Sequence, residues 1–180
     1  MDYFTSDLHI GHNSILEYCN RPFENIEHHD ELLIKNINDT CGKDDTLYIL
    51  GDFVFMRDKR KLYDVHGAIA AQVVLIFGNH DHKKTRKADC FQWSGYYKEL
   101  KGEYHMILQH YPLLLWNRSK HGSFMLHGHC HGELDGYNKS YYRLDVGVDS
   151  HGFKPWSKKE IIEEMEARDP IKPDHHNFNP

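Results

Sequence analysis

The chain has 180 residues, enough for one domain with a real core. Its 39% hydrophobic and 27% charged content is that of a soluble globular protein, and no apolar run approaches the ~20 residues of a membrane span. A net charge of -5 disfavours broad, non-specific nucleic-acid binding, which rests on Lys and Arg against phosphates, but leaves a nucleotide or a nucleic-acid end open as substrate once bound cations reverse the local field.

Asp2–Ser6 reads as a first strand, with a polar stretch from Asp7 to Asn13 after it. The opening residues carry neither a basic segment nor an apolar core of a signal peptide, so a cytoplasmic location is expected, with no membrane and no protein partner inferred. Ser14–Asn20 is expected as a short helix that Arg21-Pro22 ends. Ile26–Asn38 carries Ile26, His29, Leu33 and Ile37 near helical spacing. Thr46–Leu50 and Gln72–Phe77 are short apolar runs expected as buried strands, with a helix at Lys59–Ala70 between them. Lys83–Cys90 is a weaker helix, and Trp93–Leu100 fits neither pattern. Glu103–Gln109, Ser123–Leu126 and Tyr141–Val148 are expected strands. Ser157–Arg168 is a helix, with Ser157 and Glu160 spaced as a capping box. Residues 1–169 are expected as one domain and 170–180, with three prolines, as an irregular tail. The interleaving of strands and helices argues α/β.

The informative pattern lies just past the strands. The first delivers Asp7-Leu8-His9, the second Gly51-Asp52, the third Gly78-Asn79-His80-Asp81, the fourth His110 and the fifth His127-Gly128-His129-Cys130-His131. In α/β sheets, ligands bind at the carboxyl ends of strands. Asp7 and His9, like His129 and His131, are two apart, and in extended backbone such side chains point the same way. Asp52 offers two oxygens able to bridge two ions. Asp7, His9, Asp52, Asn79, His110, His129 and His131 together exceed the needs of one ion, and two ions sharing Asp52 would each keep room for water and substrate. Any of these motifs alone reads as a turn, a cap or a core histidine; their order at successive strand ends carries the inference. The four cysteines form no C-x-x-C pair, so free thiols are expected rather than a zinc ribbon or redox motif.

In that order the motifs resemble those of the calcineurin-like metallophosphoesterase superfamily: D-x-H, G-D, G-N-H-[DE], a lone H and G-H-x-H, spread from Asp7 to His131. The resemblance implies two β-sheets packed face to face and flanked by helices. It implies Asp7, His9 and His131 with Asp52 around one ion, Asn79, His110 and His129 with Asp52 around the other, and His80 as a catalytic histidine that binds no metal. Gly51-Asp52 continues Phe53-Val54-Phe55 rather than with the D-R-G of the protein phosphatases, which argues against that activity. The Asp7–Ile15 stretch and Arg21-Pro22-Phe23 resemble small bacterial and phage members.

The expected function is therefore hydrolysis of a phosphodiester or nucleotide-type ester by a hydroxide bridging two divalent ions. Mn²⁺ is the foremost candidate, with Fe, Zn, Ni or Co as others. A phosphomonoesterase, or a non-catalytic metal-binding scaffold of the same fold, is the alternative. His12, just after Gly11, is a candidate phosphate contact. Arg57 and Arg143 are further candidates, and His151 is a candidate to line the cleft.

Overall fold

The computed structural model of the protein describes residues 1–55 and 59–171. Arg57 and nearly all of the expected tail lie outside them. Strands β1 (Asp2–Thr5), β2 (Thr46–Ile49), β3 (Gln72–Ile76) and β4 (Trp93–Gly95) run parallel, and β9 (Trp156–Ser157) pairs antiparallel to β1, giving the order β4-β3-β2-β1-β9. A second sheet has the order β5-β6-β7-β8, from Lys98–Leu100, Met106–Leu108, Phe124–His127 and Arg143–Asp145, in which β6, β7 and β8 are parallel and β5 is antiparallel.

The apolar runs read as continuous because both faces of the first sheet are covered. Period-two alternation sorts their side chains. Phe4, Tyr48, Leu50, Val74 and Ile76 meet Met106, Leu108, Phe124, Leu126 and Leu144 of the second sheet in a core between the sheets. Tyr3, Leu47, Ile49, Val73 and Leu75 face outward onto Leu33 and Ile37 of α2 (Ile26–Thr40) and Leu62 of α3 (Lys59–Ala68). The outer face of the second sheet packs Ile107 and Met125 under Trp116 and Tyr141. The architecture is an α/β sandwich of two face-to-face sheets.

Several expected elements are shorter than their patterns. The helix after Asn13, α1, is Ile15–Tyr18, that after His82 is Lys83–Arg86, and of Tyr141–Val148 only three residues pair in the sheet. The chain leaves the sheet at Asp145 because Gly147 turns back, its amide bound by the Asp145 carboxylate at 2.8 Å. The ambiguous Trp93–Leu100 stretch holds two three-residue strands in different sheets, so it is the crossing between layers. β9 is two residues long and has no periodicity to detect.

The C-terminal helix (Lys158–Glu166) begins at the expected box. Ser157 Oγ accepts from the Glu160 amide at 3.2 Å, and the Glu160 carboxylate accepts from the Ser157 amide at 2.7 Å. Ile161 and Met165 of this helix are buried in the inter-sheet core. Ser157→Ala should cost about 1 kcal/mol of stability, and Ile161→Ala about 2–5 kcal/mol. Both are read as midpoint shifts in urea denaturation of the metal-free protein, and neither variant should bind less metal than wild type when divalent ions are added back.

Candidate metal centre

The parallel strands β1, β2, β3, β6 and β7 all end at one edge of the sandwich, and each exit there is tight. Asp7 (φ 58), His9 (φ 50), Asp52 (φ 54), His129 (φ 71) and His131 (φ 47) are left-handed, five of the eight non-glycine residues of that kind among the described residues. Such a backbone costs about 1–3 kcal/mol per residue and persists only where surrounding contacts enforce it. Neither His-x-His nor Asp-x-His is therefore an extended pair: turns, not the strand pleat, aim these side chains. Glycine permits the approach of the loops. A Cβ on Gly128 would lie 1.9 Å from Ser6 Oγ and 2.4 Å from Asp7 Oδ2, and one on Gly78 would lie 2.2 Å from Asp52 Oδ1. Beyond the strands, the Val148 amide donates to the Ser6 carbonyl at 3.2 Å, joining the two sheets beside Asp7.

These exits gather the donors. The ligand atoms of Asp7, His9 and His131 lie within 4.8 Å of one another, and so do those of Asp7, Asp52 and His110. Asp52 stands between the halves: its Oδ2 is 3.5 Å from His9 Nε2 and 3.6 Å from His110 Nε2. Its Oδ1 accepts the His80 amide at 2.8 Å. Asn79 Oδ1 is 2.9 Å from His110 Nε2, and the His129 ring sits 5.1 Å from the His110 ring, centroid to centroid. Asn79 and His129 are exposed, whereas Asp7, His9, Asp52 and His110 are buried. His131 thus joins the Asp7 side, and His129 the His110 side.

The second nitrogen of three of the rings, buried His9 and His110 and half-buried His131, is held. His110 Nδ1 donates to the Leu50 carbonyl at 2.8 Å, which leaves a lone pair on Nε2 facing Asn79 Oδ1 and Asp52. His131 Nδ1 is 2.7 Å from Asp149 Oδ2, and His9 Nδ1 is 3.1 Å from His12 Nδ1. Asp149 is itself gripped by Arg21, through Nε to Oδ1 at 2.8 Å and Nη2 to Oδ2 at 2.7 Å. The strand-end motifs do not mark Asp149 or Arg21 as belonging here. The chain separation of the pair hides it, and the only local sign is a charged residue placed before a proline.

Electrostatically the cluster lacks positive charge. Burial pushes the Asp7 carboxyl well above its usual range, and Asp145 and Asp52 nearby push the same way against His131. Burial lowers His9 to about 2, helped by the cationic Arg21. Burial also lowers His110 and His129. Burial would lower His131 too, but its hydrogen bond to Asp149 and the Asp7 charge raise it. Asp7 Oδ1 and His9 Nε2 are buried with no hydrogen-bond partner. Oxygen and imidazole donors aimed at one another, with orphaned lone pairs between them, fit divalent cations and little else.

Residues 3–180 match the calcineurin-like phosphoesterase family. The chain belongs to that family. An uncharacterized protein of Methanocaldococcus jannaschii is 32% identical over 91% of this chain and 90% of its own length. The Gene 66 protein of Mycobacterium phage L5 is 29% identical, covering 83% and 87%. In structure, a protein of unknown function from Aquifex aeolicus superposes with a TM-score of 0.73 at 24% identity, over 91% of this chain and 98% of that one, a likeness of fold.

This family member has a cleft of about 760 Å³ over the centre, lined among others by His9, His12, Tyr18, His80, His129 and His131. His80 presents its ring there, 5.2 Å from that of His9. His12 stacks on Phe55 at 3.9 Å while its Nδ1 meets His9, so it both borders the cleft and steadies a donor. Asp81 accepts the amides of Asp52, Phe53 and Gly78 at 2.8–3.0 Å and so clamps two loops. Arg143 is no phosphate contact: it is buried, donating to Asn138 and the Leu113 carbonyl. His151 stacks on Trp156 at 3.8 Å and does not line the cleft. No described helix is long and apolar enough to cross a membrane.

This geometry has two measurable outcomes. Gly128→Ala should abolish divalent-ion binding, because its Cβ needs the space of Asp7 Oδ2; retention of wild-type affinity by calorimetry would contradict the packing. Asp7 and His131, held protonated to higher pH than usual in the metal-free protein, must release protons when an ion binds. Affinity should therefore fall as pH falls, and the binding heat should change between buffers of different ionisation enthalpy.

Proposed function

We propose that this family member is a two-metal phosphodiesterase acting on phosphodiesters or nucleotide-type esters, with Mn²⁺ as its preferred ion and residues 1–169 as one catalytic domain. The observation that carries this reading is the placement of one Asp52 oxygen at nearly equal distance from His9 and His110, between two donor sets. Asp7, His9 and His131 would hold one ion, Asn79, His110 and His129 the other, and Asp52 both. Bound divalent ions supply Lewis acidity to phosphoryl oxygens and acidify water for attack.

The chain's own residues do the rest. Asp81 and the left-handed exits hold the donors before substrate arrives, so little reorganisation accompanies reaction. His80 faces the cleft from a backbone anchored on Asp52, a position suited to giving a proton to the leaving oxygen. His12, on the same wall, contacts a phosphoryl oxygen. The exposed Asn79 and His129 leave the centre open on one side, which suits a diester with groups on both sides of phosphorus better than a small monoester. All four cysteines are free thiols, in keeping with a reducing cytoplasm.

The protein should hydrolyse bis-p-nitrophenyl phosphate with added Mn²⁺ and stop when the ion is chelated. Asp52→Ala and Asn79→Ala should be inactive yet folded. His80→Ala should keep its ions and lose about 10²–10⁴-fold in turnover, more for an alkyl leaving group than for nitrophenolate, which needs no proton. Full activity after exhaustive metal removal would refute the proposal.

A further inference from the structure

We infer that Arg21 and Asp149 are positioning residues that make the two halves of the centre unequal, so that the Asp7, His9 and His131 half binds its ion first and more tightly. The inference rests on the two-metal reading above.

Arg21 is 4% exposed, and all its donors are engaged. Besides the two bonds to Asp149, Nη2 donates to the Asp7 carbonyl at 2.7 Å and Nη1 to the Leu8 carbonyl at 3.3 Å, while Nη1 is 2.8 Å from His29 Nε2. No N–H is left for a substrate phosphate. The guanidinium instead ties the backbone of the first motif, at its left-handed turn, to the carboxylate that orients His131. His29 extends the tie: its Nδ1 is 2.7 Å from Asp30 Oδ1, and Asp30 Oδ2 accepts the Gly11 amide at 2.9 Å. One buried network thus fixes both ends of the loop bearing Asp7 and His9, together with the ring of His131. A planar fork is required, because one cation must reach both carboxylate oxygens and two carbonyls.

In the other half Asp81 and Arg86 hold backbone, through the Gly78 amide and carbonyl, but among the described residues no carboxylate orients an imidazole there from behind. His110 leans on the neutral Leu50 carbonyl, and Asn79 and His129 are exposed. A carboxylate acceptor makes its imidazole a stronger donor to a metal than a carbonyl does. Cys19 lies with His131 and Asp149 in a third cluster, but both Asp149 oxygens are occupied by Arg21 and His131, so Asp149 acts through His131 rather than as a ligand.

The test is calorimetric titration of Mn²⁺ into the metal-free protein, with metal counted by mass spectrometry after gel filtration. Wild type should bind two ions in two unequal steps. Asp149→Asn, which keeps the shape and removes the charge, should weaken the tight step by about 10–100-fold and leave the weak step unchanged. Arg21→Lys should do the same, since an ammonium cannot span the contacts; if it does not fold, Asp149→Asn alone decides. Two equal steps in wild type, an unchanged tight step in the variants, or equal weakening of both steps would overturn the inference. Two unequal steps that Asp149→Asn equalises, in a protein that cleaves no diester, would sustain the positioning role and remove the proposed function.

Discussion

The structure depends on a buried surplus of lone pairs. Asp7, Asp52, His9 and His110 are brought within a few ångströms of one another at the edge of the sandwich, and Asp7 Oδ1 and His9 Nε2 have nothing to bond. An unsatisfied buried polar group costs of order 1–3 kcal/mol, so this arrangement opposes folding unless cations occupy it or the rest of the chain outweighs it. The raised carboxyl of Asp7 and the depressed imidazole of His9 are the same opposition seen as proton affinities.

The fold supplies the opposing stability away from the site. The two cores, one between the sheets and one under α2 and α3, are built from side chains almost wholly removed from water. They fix the strands, and the parallel strands fix where the chain turns. Because Asp7, His9, Asp52, His129 and His131 sit in left-handed backbone, these five donors are held in strained turns that the packing enforces, and a loosened core would release them. This division places the strain at the strand exits and the stabilising burial behind them.

Arg21 and Asp81 show two answers to the same problem. Arg21 brings a permanent positive charge beside the carboxylates and spends all of its donors on backbone, His29 and Asp149. Asp81 brings a further carboxyl, pushed up to about 7 chiefly by burial, whose three amide bonds stitch the second and third strand exits together. Neither residue reaches the cleft, yet both decide where the cleft's histidines stand.

The local strings carried much of this. Apolar runs ending in Gly-Asp, Gly-Asn-His-Asp or His-Gly-His-Cys-His mark buried strands that end at polar turns, because burial period and turn chemistry are properties of a few adjacent residues. The capping box at Ser157 was legible for the same reason. What adjacent residues could not determine is any contact between distant ones. Arg21 and Asp149 are 128 residues apart, β9 is too short to have a period, and the change of sheet within Trp93–Leu100 depends on which partner each three-residue strand finds. The sequence alone therefore determined the chemistry of the donors and their order along the chain. Tertiary structure decided that the paired donors are aimed by left-handed turns rather than by extended strand, that Arg143 is a packing residue, and that Arg21 serves the centre, because those outcomes depend on backbone turns and through-space distances that only the packed sheets establish.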